Sequence, residues 1–346
     1  MIDWLTFRTR LAQSRPLHGG YVASIAFDHD TGEEHTEWIS PKRVPVRGSH
    51  DAKIHVRSCP RDPLAFVEIS GNPAKFFQGH NVFGSDDLVG LTAALFRAVC
   101  AQLSLVPTAN ELHYVDAGAA QLTRVDVTRS YDLGSLPRVL SALRALEHSA
   151  HLKHRGRGSL IKAGSLLFGG GSRRSSLLLY AKGQELRAHP LPLALLTGPL
   201  LDYAARLLRA ELRLMSMELK DRGLDVAAAW TPDVPLEQHR AMIGKLHIAE
   251  AFMLDPDVIA SLPARLQAAY QLWKEGHDLR AMFPRKTFYR YRQQLMAHGI
   301  DIAVKQPRER EQSNVVPLPL VLHAYPVQVP DWAIGTPLYF EPRRTA

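Results

Sequence analysis

The sequence GGGSRRSSLLLYAK, residues 169–182, joins a basic, glycine-rich run to an apolar segment typical of a β-strand. Side chains alternate between the two faces of a strand, so Tyr180 and Lys182 are predicted to share one face, opposite Leu177, Leu179 and Ala181. A phenol beside an ammonium group, near Arg173 and Arg174, suits a nucleophile that attacks a phosphodiester, because cations neutralise charge on the phosphoryl oxygens. A tyrosine on a strand is otherwise most often an amphipathic core residue.

Two other predicted strands carry acids flanked by arginines: LTRVDVT at residues 122–128 and LRAELRL at residues 208–214. Alternation places these charged side chains opposite the apolar ones: Arg124 and Asp126 on the first strand, and Arg209, Glu211 and Arg213 on the second. Either strand alone indicates an ion pair on a sheet surface. Together they favour a site in which two carboxylates bind a hard cation, Mg²⁺ or Mn²⁺, and the arginines bind phosphate.

Two further candidate metal ligands lie in the segment 65–84. Glu68 ends a predicted strand and His80 follows a glycine turn, so each is placed to add a ligand. A single histidine in a turn is more often a local hydrogen-bonding group than a metal ligand. Because both side chains are placed to add a ligand, we nevertheless expect Glu68 or His80 to complete the ligand set of the metal ion.

Composition favours a polyanionic partner. Lys and Arg number 42 against 34 Asp and Glu, which gives a formal net charge of +8 and a pI of about 9.5. The two cysteines form no CxxC motif, which argues against a structural zinc or a disulfide framework. The chain has no apolar run of 18 residues and begins without a signal-peptide pattern, so a soluble protein with no membrane partner is expected.

Residues 1–225 alternate short strand-like runs with two helical stretches, at 86–103 and 136–149. Strands combined with few helices and no regular βαβ alternation predict an α+β fold, an antiparallel sheet backed by helices on one face. Every catalytic candidate falls in this part, which we expect to be the catalytic domain. The glycine-rich residues 151–176 are predicted to form a long mobile loop.

The remaining third divides into three predicted segments. Residues 226–262 are a proline-punctuated helical connector, residues 263–306 contain three short helices, and residues 307–346 form a proline-rich strap. A short helix, a tight turn at Pro284 and a basic last helix are typical of a small helix-turn-helix-like module.

The alternative for this module is an ordinary helical hairpin whose Phe288, Tyr291 and Leu295 fill a core. Both interpretations hold if these three side chains pack inward while others on the last helix face a DNA groove. The groove-facing candidates are Arg285, Lys286, Tyr289, Arg290 and Arg292.

An ordered set of short motifs spans essentially the whole chain. They are Met1-Ile2-Asp3, Pro73-Ala74-Lys75, Gln78-Gly79-His80-Asn81-Val82, Arg124-Val125-Asp126, Tyr180-Ala181-Lys182, Arg209-Ala210-Glu211, Pro284-Arg285, Phe288-Tyr289-Arg290-Tyr291, Asn314-Val315-Val316-Pro317-Leu318 and Pro330-Asp331-Trp332. The set resembles the gene II/X family of phage and plasmid replication initiation proteins, the rolling-circle initiators of filamentous phages. The Arg-Val-Asp, Tyr-x-Lys and Arg-x-Glu series also resembles plasmid replication-transfer initiators, which have a variant HUH endonuclease fold. The ordinary HUH endonucleases carry a His-hydrophobic-His motif. This chain has no such motif, so the resemblance to those enzymes is distant.

The resemblance implies a nickase that binds a double-stranded origin, cuts one strand through a tyrosine, leaves a 3′-hydroxyl primer and later rejoins the displaced single strand. Residue by residue, it makes Tyr180 the nucleophile. It assigns Asp126 and Glu211, with Glu68 or His80, to a divalent ion, and Lys182, Arg209 and Arg213 to phosphate charge. Arg124, Arg173 and Arg174 are expected to contact DNA. A bacterial cytoplasmic location, a host helicase and polymerase as partners, and a possible homo-oligomer follow as expectations.

Two alternatives stay open from the residues alone. One is a non-catalytic origin-binding protein in which the arginine-acid strands are structural. The other is a metal-dependent nuclease that activates water, with Tyr180 in a structural role. The clustering of Tyr180, Lys182, Asp126 and Glu211 on polar strand faces argues against the first, because DNA binding alone does not require it.

Overall fold

The computed structural model describes residues 1–13, 16–17, 20–153, 155–161, 164–248, 262–297, 300–303 and 326–342. The strands are β1 (Ile2–Arg10), β2 (Tyr21–Phe27), β3 (Glu34–Pro41), β4 (Val44–Arg47), β5 (Lys53–Ser58), β6 (Phe66–Gly71), β7 (Gln121–Asp132), β8 (Ala150–Leu152), β9 (Gly156–Arg157), β10 (Ser159–Ile161), β11 (Ser165–Phe168), β12 (Ser175–Ala181), β13 (Leu207–Met215) and β14 (Leu246–Ile248). The helices are α1 (Pro73–Gln78), α2 (Leu88–Gln102), α3 (Ala109–Asp116), α4 (Leu136–Ser149), α5 (Lys182–Ala188), α6 (Gly198–Ala205), α7 (Ser216–Asp221), α8 (Val234–Ile243), α9 (Ala264–Lys274), α10 (Leu279–Met282) and α11 (Arg285–Met296).

A nine-stranded sheet organises the molecule, in the order β10-β11-β12-β13-β7-β1-β6-β5-β4. Each neighbouring pair in it is antiparallel. The three strands with arginine-acid or tyrosine motifs, β12, β13 and β7, are consecutive at its centre. The α+β prediction is therefore confirmed, and the sheet brings together segments that lie far apart in sequence.

The sheet has one apolar and one polar face, as the alternation of the sequence predicts. Leu5, Phe7, Val125 and Leu212 lie on the apolar face, where helices α2, α3, α4, α7 and α8 cover them in one continuous core. Burial of this core is the main stabilising contribution, at roughly 25 cal/mol per Å² of apolar surface. The opposite face presents the charged side chains of the central strands.

Two predicted helices are confirmed as α2 and α4, and the predicted loop at 151–176 is wrong in part. Strands β8 to β11 form within that segment, and β10 and β11 extend the large sheet. The runs Ser159–Ile161 and Ser165–Phe168 are short apolar strands, and Leu166 and Phe168 are fully buried. Glycine and serine are the commonest residues there, and the burial of a few leucines outweighs that local signal.

The C-terminal helices α9, α10 and α11 have a hydrophobic cluster of their own. Its centre contains Tyr270, Trp273, Phe288 and Leu295. All three helices lie within residues 263–306, the segment in which three short helices were predicted. Phe288 and Leu295 pack inward and Tyr291 is half-buried, so the helical-hairpin core exists as expected.

The described residues of the predicted connector, 226–248 and 262, and those of the predicted strap, 326–342, include side chains that pack on the core of the large sheet or on its neighbours. Trp230 is buried in its core and donates from Nε1 to the Leu224 carbonyl at 2.9 Å. In the strap, Phe340 stacks on Phe77 with ring centroids 4.0 Å apart, and Val327 N donates to Ser130 O at 2.9 Å. The part of residues 307–346 before 326 lies outside the described residues. None of the described helices has the length and apolarity that crossing a bilayer requires.

Candidate functional site

Tyr180 lies near the end of β12, directly opposite Arg209 on β13. The guanidinium carbon of Arg209 is 5.6 Å from the centre of the phenol ring, within the range of a cation–π contact. Only 6% of Tyr180 is exposed. Burial raises the pKa of the phenol well above 10, and the charge of Arg209 opposes this rise.

Lys182 is the first residue of α5, just beyond the strand that carries Tyr180, and its side chain is fully buried. Its Nζ donates to Asn81 Oδ1 and to Glu185 Oε2, both at 2.7 Å. Burial and repulsion from Arg209 lower the pKa of the ammonium group, which Glu185 partly offsets, to about 8. The ammonium group is thus a desolvated cation held by two oxygen acceptors.

Arg209 is fully buried and reaches Asp3 and the backbone carbonyl of Asn81. Asp3 Oδ1 accepts from Arg209 Nη2 at 3.4 Å, from Asn72 Nδ2 at 3.0 Å and from Asn81 Nδ2 at 2.9 Å. These cationic contacts and hydrogen bonds outweigh burial and lower the pKa of Asp3. Asp3 therefore links the two cations beside Tyr180, directly to Arg209 and through Asn81 to Lys182.

Sequence reasoning missed Asp3, Asn72 and Asn81 as functional residues. Asp3 lies at a register irregularity of β1, between Ile2 and Trp4, which takes it out of simple alternation. Asn72 also caps α1, where its Oδ1 accepts from Lys75 N at 2.8 Å. The available signal was an acid at the start of an apolar strand, where an unpaired charge is costly to bury.

Asp126 and Glu211 are diagonal neighbours on β7 and β13, because Arg213 pairs with Asp126 and Glu211 with Thr128. Arg213 bridges them, with Nε 3.3 Å from Asp126 Oδ2 and Nη2 3.7 Å from Glu211 Oε1. Arg124 holds Asp126 in a bidentate pair at 2.9 and 2.5 Å. Arg124 also stacks on Trp4, 4.8 Å from the ring centre.

Glu211 has a strongly raised pKa. Burial raises the pKa from 4.5 to about 8, and the charges of Asp3 and Asp126 contribute, while Arg209 and Arg213 oppose them. Three acids therefore influence one another at the point where β1, β7 and β13 meet. A positive charge added at this point would offset their repulsion.

Glu68 lies apart from this cluster. It pairs with Arg8, while Asp126 pairs with Trp4, so about 13 Å of β1 separates the two positions at the strand rise. Its carboxylate is bound by Arg8 Nε at 3.1 Å and by Arg57 Nε at 2.7 Å. Glu68 is thus placed as a buried ion-pair partner of two arginines.

His80 is fully buried beside Gln78 and Phe83. Its Nδ1 accepts from Val82 N at 3.3 Å, and burial lowers its pKa to about 4. The imidazole is neutral at physiological pH and packs under the C-terminal strap, where Phe340 N donates to Gln78 Oε1 at 2.8 Å. Its Nδ1 is thus bound within the loop that carries Asn81, while Nε2 is buried without a hydrogen-bond partner among the described residues.

The residues predicted to contact DNA divide into two groups. Arg173, Arg285, Lys286, Tyr289 and Arg290 are exposed. Arg124, Arg174 and Arg292 are held in ion pairs, Arg174 with Asp221 and Glu218. Arg292 forms a bidentate pair with Asp301 at 2.7 and 2.8 Å, so it turns away from the exposed face that was predicted for it.

Among the described residues, no group of three or more His, Cys, Asp or Glu side chains is arranged to hold a metal ion. Asp126 and Glu211 offer two carboxylates. This number fits Mg²⁺, which commonly binds one or two carboxylates and completes its shell with water and substrate phosphates. The raised pKa of Glu211 marks the place where such a cation would be stabilised.

Comparison with known proteins identifies the chain's relatives. Residues 1–233 match the N-terminal family model of the phage replication-associated protein known as the gene II protein, and residues 253–341 match its C-terminal family model. The chain is 34% identical over 337 residues to the replication-associated protein of this family from Enterobacteria phage I2-2, covering 95% of each chain. It is 29% identical over 182 residues to the corresponding protein of Enterobacteria phage M13, covering 46% of this chain and 42% of that protein.

A solved structure of a rolling circle replication initiator protein from Geobacillus stearothermophilus aligns with 74% of this chain and 89% of that one. The sequence identity is 12% and the TM-score is 0.31, a level that does not establish a shared fold. The two family models and the full-length relative confirm the resemblance that the sequence motifs indicate. The chain therefore belongs to the gene II family of phage replication-associated proteins.

Proposed function

We propose that this chain initiates rolling-circle replication by cutting one strand of an origin with Tyr180 as the nucleophile. In the proposed step, Tyr180 Oη bonds to the phosphorus of the scissile phosphodiester. The 3′ oxygen leaves as a hydroxyl group that carries the proton lost by the phenol. The 5′ phosphate stays linked to the protein and the 3′ hydroxyl primes synthesis. The reverse reaction then joins the displaced strand.

The observation that carries this proposal is the contact of Tyr180 with a buried arginine. A phenol with a pKa above 10 is neutral at physiological pH and a weak nucleophile. Arg209 lies 5.6 Å from the ring and favours the phenolate, the form that attacks phosphorus.

The cations of the site suit the charge that develops on the phosphoryl oxygens. Arg209 and Lys182 are fully buried, so their fields are screened less than those of surface charges. Arg213 is half-exposed on the same polar face and is placed to reach a phosphate that enters from solvent. Preorganised donors of this kind stabilise a transition state without reorganising during the reaction.

Asp126 and Glu211 would hold a divalent cation, Mg²⁺ or Mn²⁺, together with the DNA phosphate. When bound, that ion would act as a Lewis acid on the scissile phosphate and offset its charge. The repulsion among Glu211, Asp126 and Asp3 supports this assignment. Glu68 and His80 make contacts that favour structural roles, whereas the charge of Asp3 helps to raise the pKa of Glu211.

Asp3, Asn72 and Asn81 are proposed as positioning residues. Asp3 fixes Arg209, and the Asn81 amide connects Asp3 with Lys182. The three thereby set the positions of both buried cations relative to Tyr180. Residues that orient the groups in direct contact with substrate commonly change activity by about 10–100-fold when they are altered.

Origin recognition is proposed for the exposed side of α11. Arg285, Lys286 and Arg290 are exposed there, while Phe288 and Leu295 anchor the helix to the module. A basic helix with an apolar inner face suits a duplex groove. A host helicase and polymerase would act after the cut, since strand displacement requires them.

Trapping of a covalent protein–DNA adduct tests the proposal directly. An adduct through Tyr180 supports it. Cleavage without an adduct would favour a nuclease that activates water, and specific binding without cleavage would favour a regulatory origin-binding protein.

A further inference from the structure

Trp4 is a large aromatic side chain on the polar face of the nine-stranded sheet. The next residue along β1, Leu5, lies in the apolar core, so alternation directs Trp4 to the opposite face. The indole is half-buried and belongs to none of the three hydrophobic clusters that the described residues form. Packing in a core therefore does not account for its position.

The indole is held in one orientation by hydrogen bonds from its nitrogen. Nε1 donates to Thr6 Oγ1 and to Ser70 Oγ, both at 3.3 Å, and these two hydroxyl oxygens are 2.8 Å apart. Thr6 and Ser70 pair in register across β1 and β6, so the sheet fixes both acceptors. The ring is thus oriented before any ligand binds, which reduces the entropy that binding costs.

Arg124 covers one face of the indole ring. Its guanidinium carbon is 4.8 Å from the ring centre, and the same guanidinium group binds Asp126 in a bidentate pair. Within the described part of the chain, no other aromatic ring or guanidinium group lies over the indole. Trp4 and Arg124 together form a stacked, cationic surface beside the acids of the site, which we call the Trp4–Arg124 platform.

The platform lies on the same sheet face as Tyr180, at a distance that one DNA strand can span. Trp4 pairs with Asp126 and Asp126 with Arg213, on adjacent strands. Tyr180 pairs with Arg209, which precedes Arg213 by four residues on β13. Four residues along a strand and three strand spacings across the sheet amount to roughly 20 Å. A strand whose scissile phosphate lies at Tyr180 therefore reaches the platform within a few nucleotides.

Cations continue along the polar face beyond the platform. Arg8 and Arg57 flank Glu68 there, with nitrogen atoms 3.1 and 2.7 Å from its carboxylate oxygens. Two guanidinium groups against one carboxylate leave a net positive charge, and both arginines are partly exposed. A DNA backbone that passes the platform thus meets positive charge at Arg213 on one side and at Arg8 on the other.

A base of an unpaired DNA strand is the ligand that suits this surface. Bases stack on aromatic rings and on guanidinium planes, and every base has a face that can do so. In a duplex those faces are covered by the neighbouring base pairs, so a nucleotide must leave the stack before a side chain can contact its face. The platform therefore discriminates between single-stranded and double-stranded DNA.

We propose that the Trp4–Arg124 platform is the subsite for one base of the single strand that is cut, within a few nucleotides of the scissile phosphate. This inference rests on the proposed function, which brings that strand to the polar face of the sheet. Stacking fixes the strand along β1, and the pair of Arg124 with Asp126 connects the stacked base to the acids proposed to hold the metal ion. Trp4 is thereby a positioning residue that detects the presence of a base rather than its identity.

Removal of single bases tests the subsite position by position. Full-length Tyr180→Phe protein is mixed, in the presence of a chelator, with single-stranded oligonucleotides that contain the cut site and one abasic position each. When Trp4 is present, we expect the loss of the base at one position to weaken binding about tenfold. When Trp4→Leu is added, the intact oligonucleotide should bind about tenfold more weakly, and loss of that same base should cost less than about twofold. Equal losses at every position, with and without Trp4, would overturn the proposal.

Two further variants separate stacking from a structural role. Trp4→Phe keeps an aromatic face, so most of the position-specific loss should remain in this variant. Trp332 serves as the matched control, because it packs on Phe83 in the cluster that contains Leu207, at the opposite end of β13 from Arg213. Trp332→Leu should leave the position-specific loss unchanged. The proposal fails if Trp332→Leu removes that loss, or if Trp4→Phe removes it as completely as Trp4→Leu does.

Binding of duplex DNA provides a second measurement. Trp4→Leu should leave the affinity for the double-stranded origin within about twofold of the parent chain, because paired bases do not expose their faces to the platform. Loss of duplex and single-strand affinity by the same factor would overturn the proposal. None of these measurements requires cleavage, so they test the subsite independently of the nucleophile. A covalent adduct on a residue other than Tyr180 would contradict the proposed function and leave the stacking result as it stands.

Discussion

Tyr180 and Arg209 lie directly opposite each other on adjacent antiparallel strands, with the guanidinium carbon 5.6 Å from the phenol ring. Both side chains are buried, so bulk water screens the interaction between them only weakly. Arg209 is held in place by Asp3, which also accepts from Asn72 and Asn81. The nucleophile proposed here is thus connected to the first strand of the chain through one arginine and one aspartate.

Glu211 should make the stability of the metal-free protein depend on pH. Its pKa is raised from 4.5 to about 8, so the stability that the neutral carboxyl confers is present below pH 4.5 and is lost as the pH rises towards 8. Glu211→Gln keeps the group neutral. In the presence of a chelator, the free energy of unfolding of the variant should exceed that of wild type by at least about 1 kcal/mol near pH ~9. Near pH ~4.5 the two free energies should differ little.

Denaturant unfolding at the two pH values measures this difference. The same variant should lose Mg²⁺-stimulated cleavage, because a metal ligand is removed. Equal effects of the substitution at both pH values would show that the carboxyl is already ionised in the fold, contrary to the account.

Asp3→Asn should lower the nicking rate by about 10–100-fold while DNA affinity changes little, because Arg209 and Lys182 lose the charge that positions them. The substitution also removes one of the charges that raises the pKa of Glu211. The stability of the metal-free protein should therefore begin to decline at a lower pH than in wild type. Asp116→Asn, which alters an acid paired with Arg97 away from the site, serves as the control. A lower melting temperature with an unchanged rate and pH profile would limit Asp3 to a structural role.

Glu68→Gln tests whether Glu68 is a metal ligand together with Asp126 and Glu211 or only an ion-pair partner of two arginines. Because Glu68 is buried between Arg8 and Arg57, the substitution leaves two guanidinium groups without their counter-ion, at a cost of about 3–5 kcal/mol. We expect a lower melting temperature together with metal-dependent cleavage that still responds to Mg²⁺ as in wild type. A rise in the Mg²⁺ concentration needed for half-maximal cleavage would return Glu68 to the ligand set.

Two neighbouring arginines on α11 should behave differently. Arg290 is exposed, so Arg290→Ala should weaken origin binding and reduce the slope of log K against log salt by about 1 if it contacts a phosphate. Arg292 is paired with Asp301, so Arg292→Ala should cost about 1 kcal/mol of stability and change the salt slope little. Binding isotherms at several salt concentrations and thermal unfolding distinguish the two. Identical salt slopes for both variants would count against α11 as the recognition helix.

The polar faces of β7, β12 and β13 could be predicted from the sequence because side-chain alternation is a local property. It correctly placed Asp126 with Arg124 and Glu211 with Arg213. Alternation does not reveal which strand lies next to which, and this is why Glu68 was grouped with Asp126 although β1 separates their strands. Register is set by long-range pairing.

The residues that sequence reasoning missed depend on tertiary structure. Asp3 lies at an irregularity of β1, and its partners Asn72 and Asn81 come from the loops around α1. Arg292 was expected to face outward by helical spacing, but it is bound by Asp301, a residue outside α11. Arg174 is paired in the same way with α7. In each case a polar or charged partner from another segment of the chain decides the side-chain position.

The most direct test of the central claim is mass spectrometry of the covalent adduct formed with a single-stranded oligonucleotide that contains the cut site, in the presence of Mg²⁺. The account predicts a 5′-phosphotyrosyl linkage on the peptide that contains Tyr180, no adduct with Tyr180→Phe, and a normal adduct with Tyr131→Phe, a buried tyrosine on β7. Origin binding by Tyr180→Phe should stay within about twofold of wild type, since only a hydroxyl group is lost. An adduct on another residue, or strand cleavage by Tyr180→Phe at the wild-type rate, would contradict it.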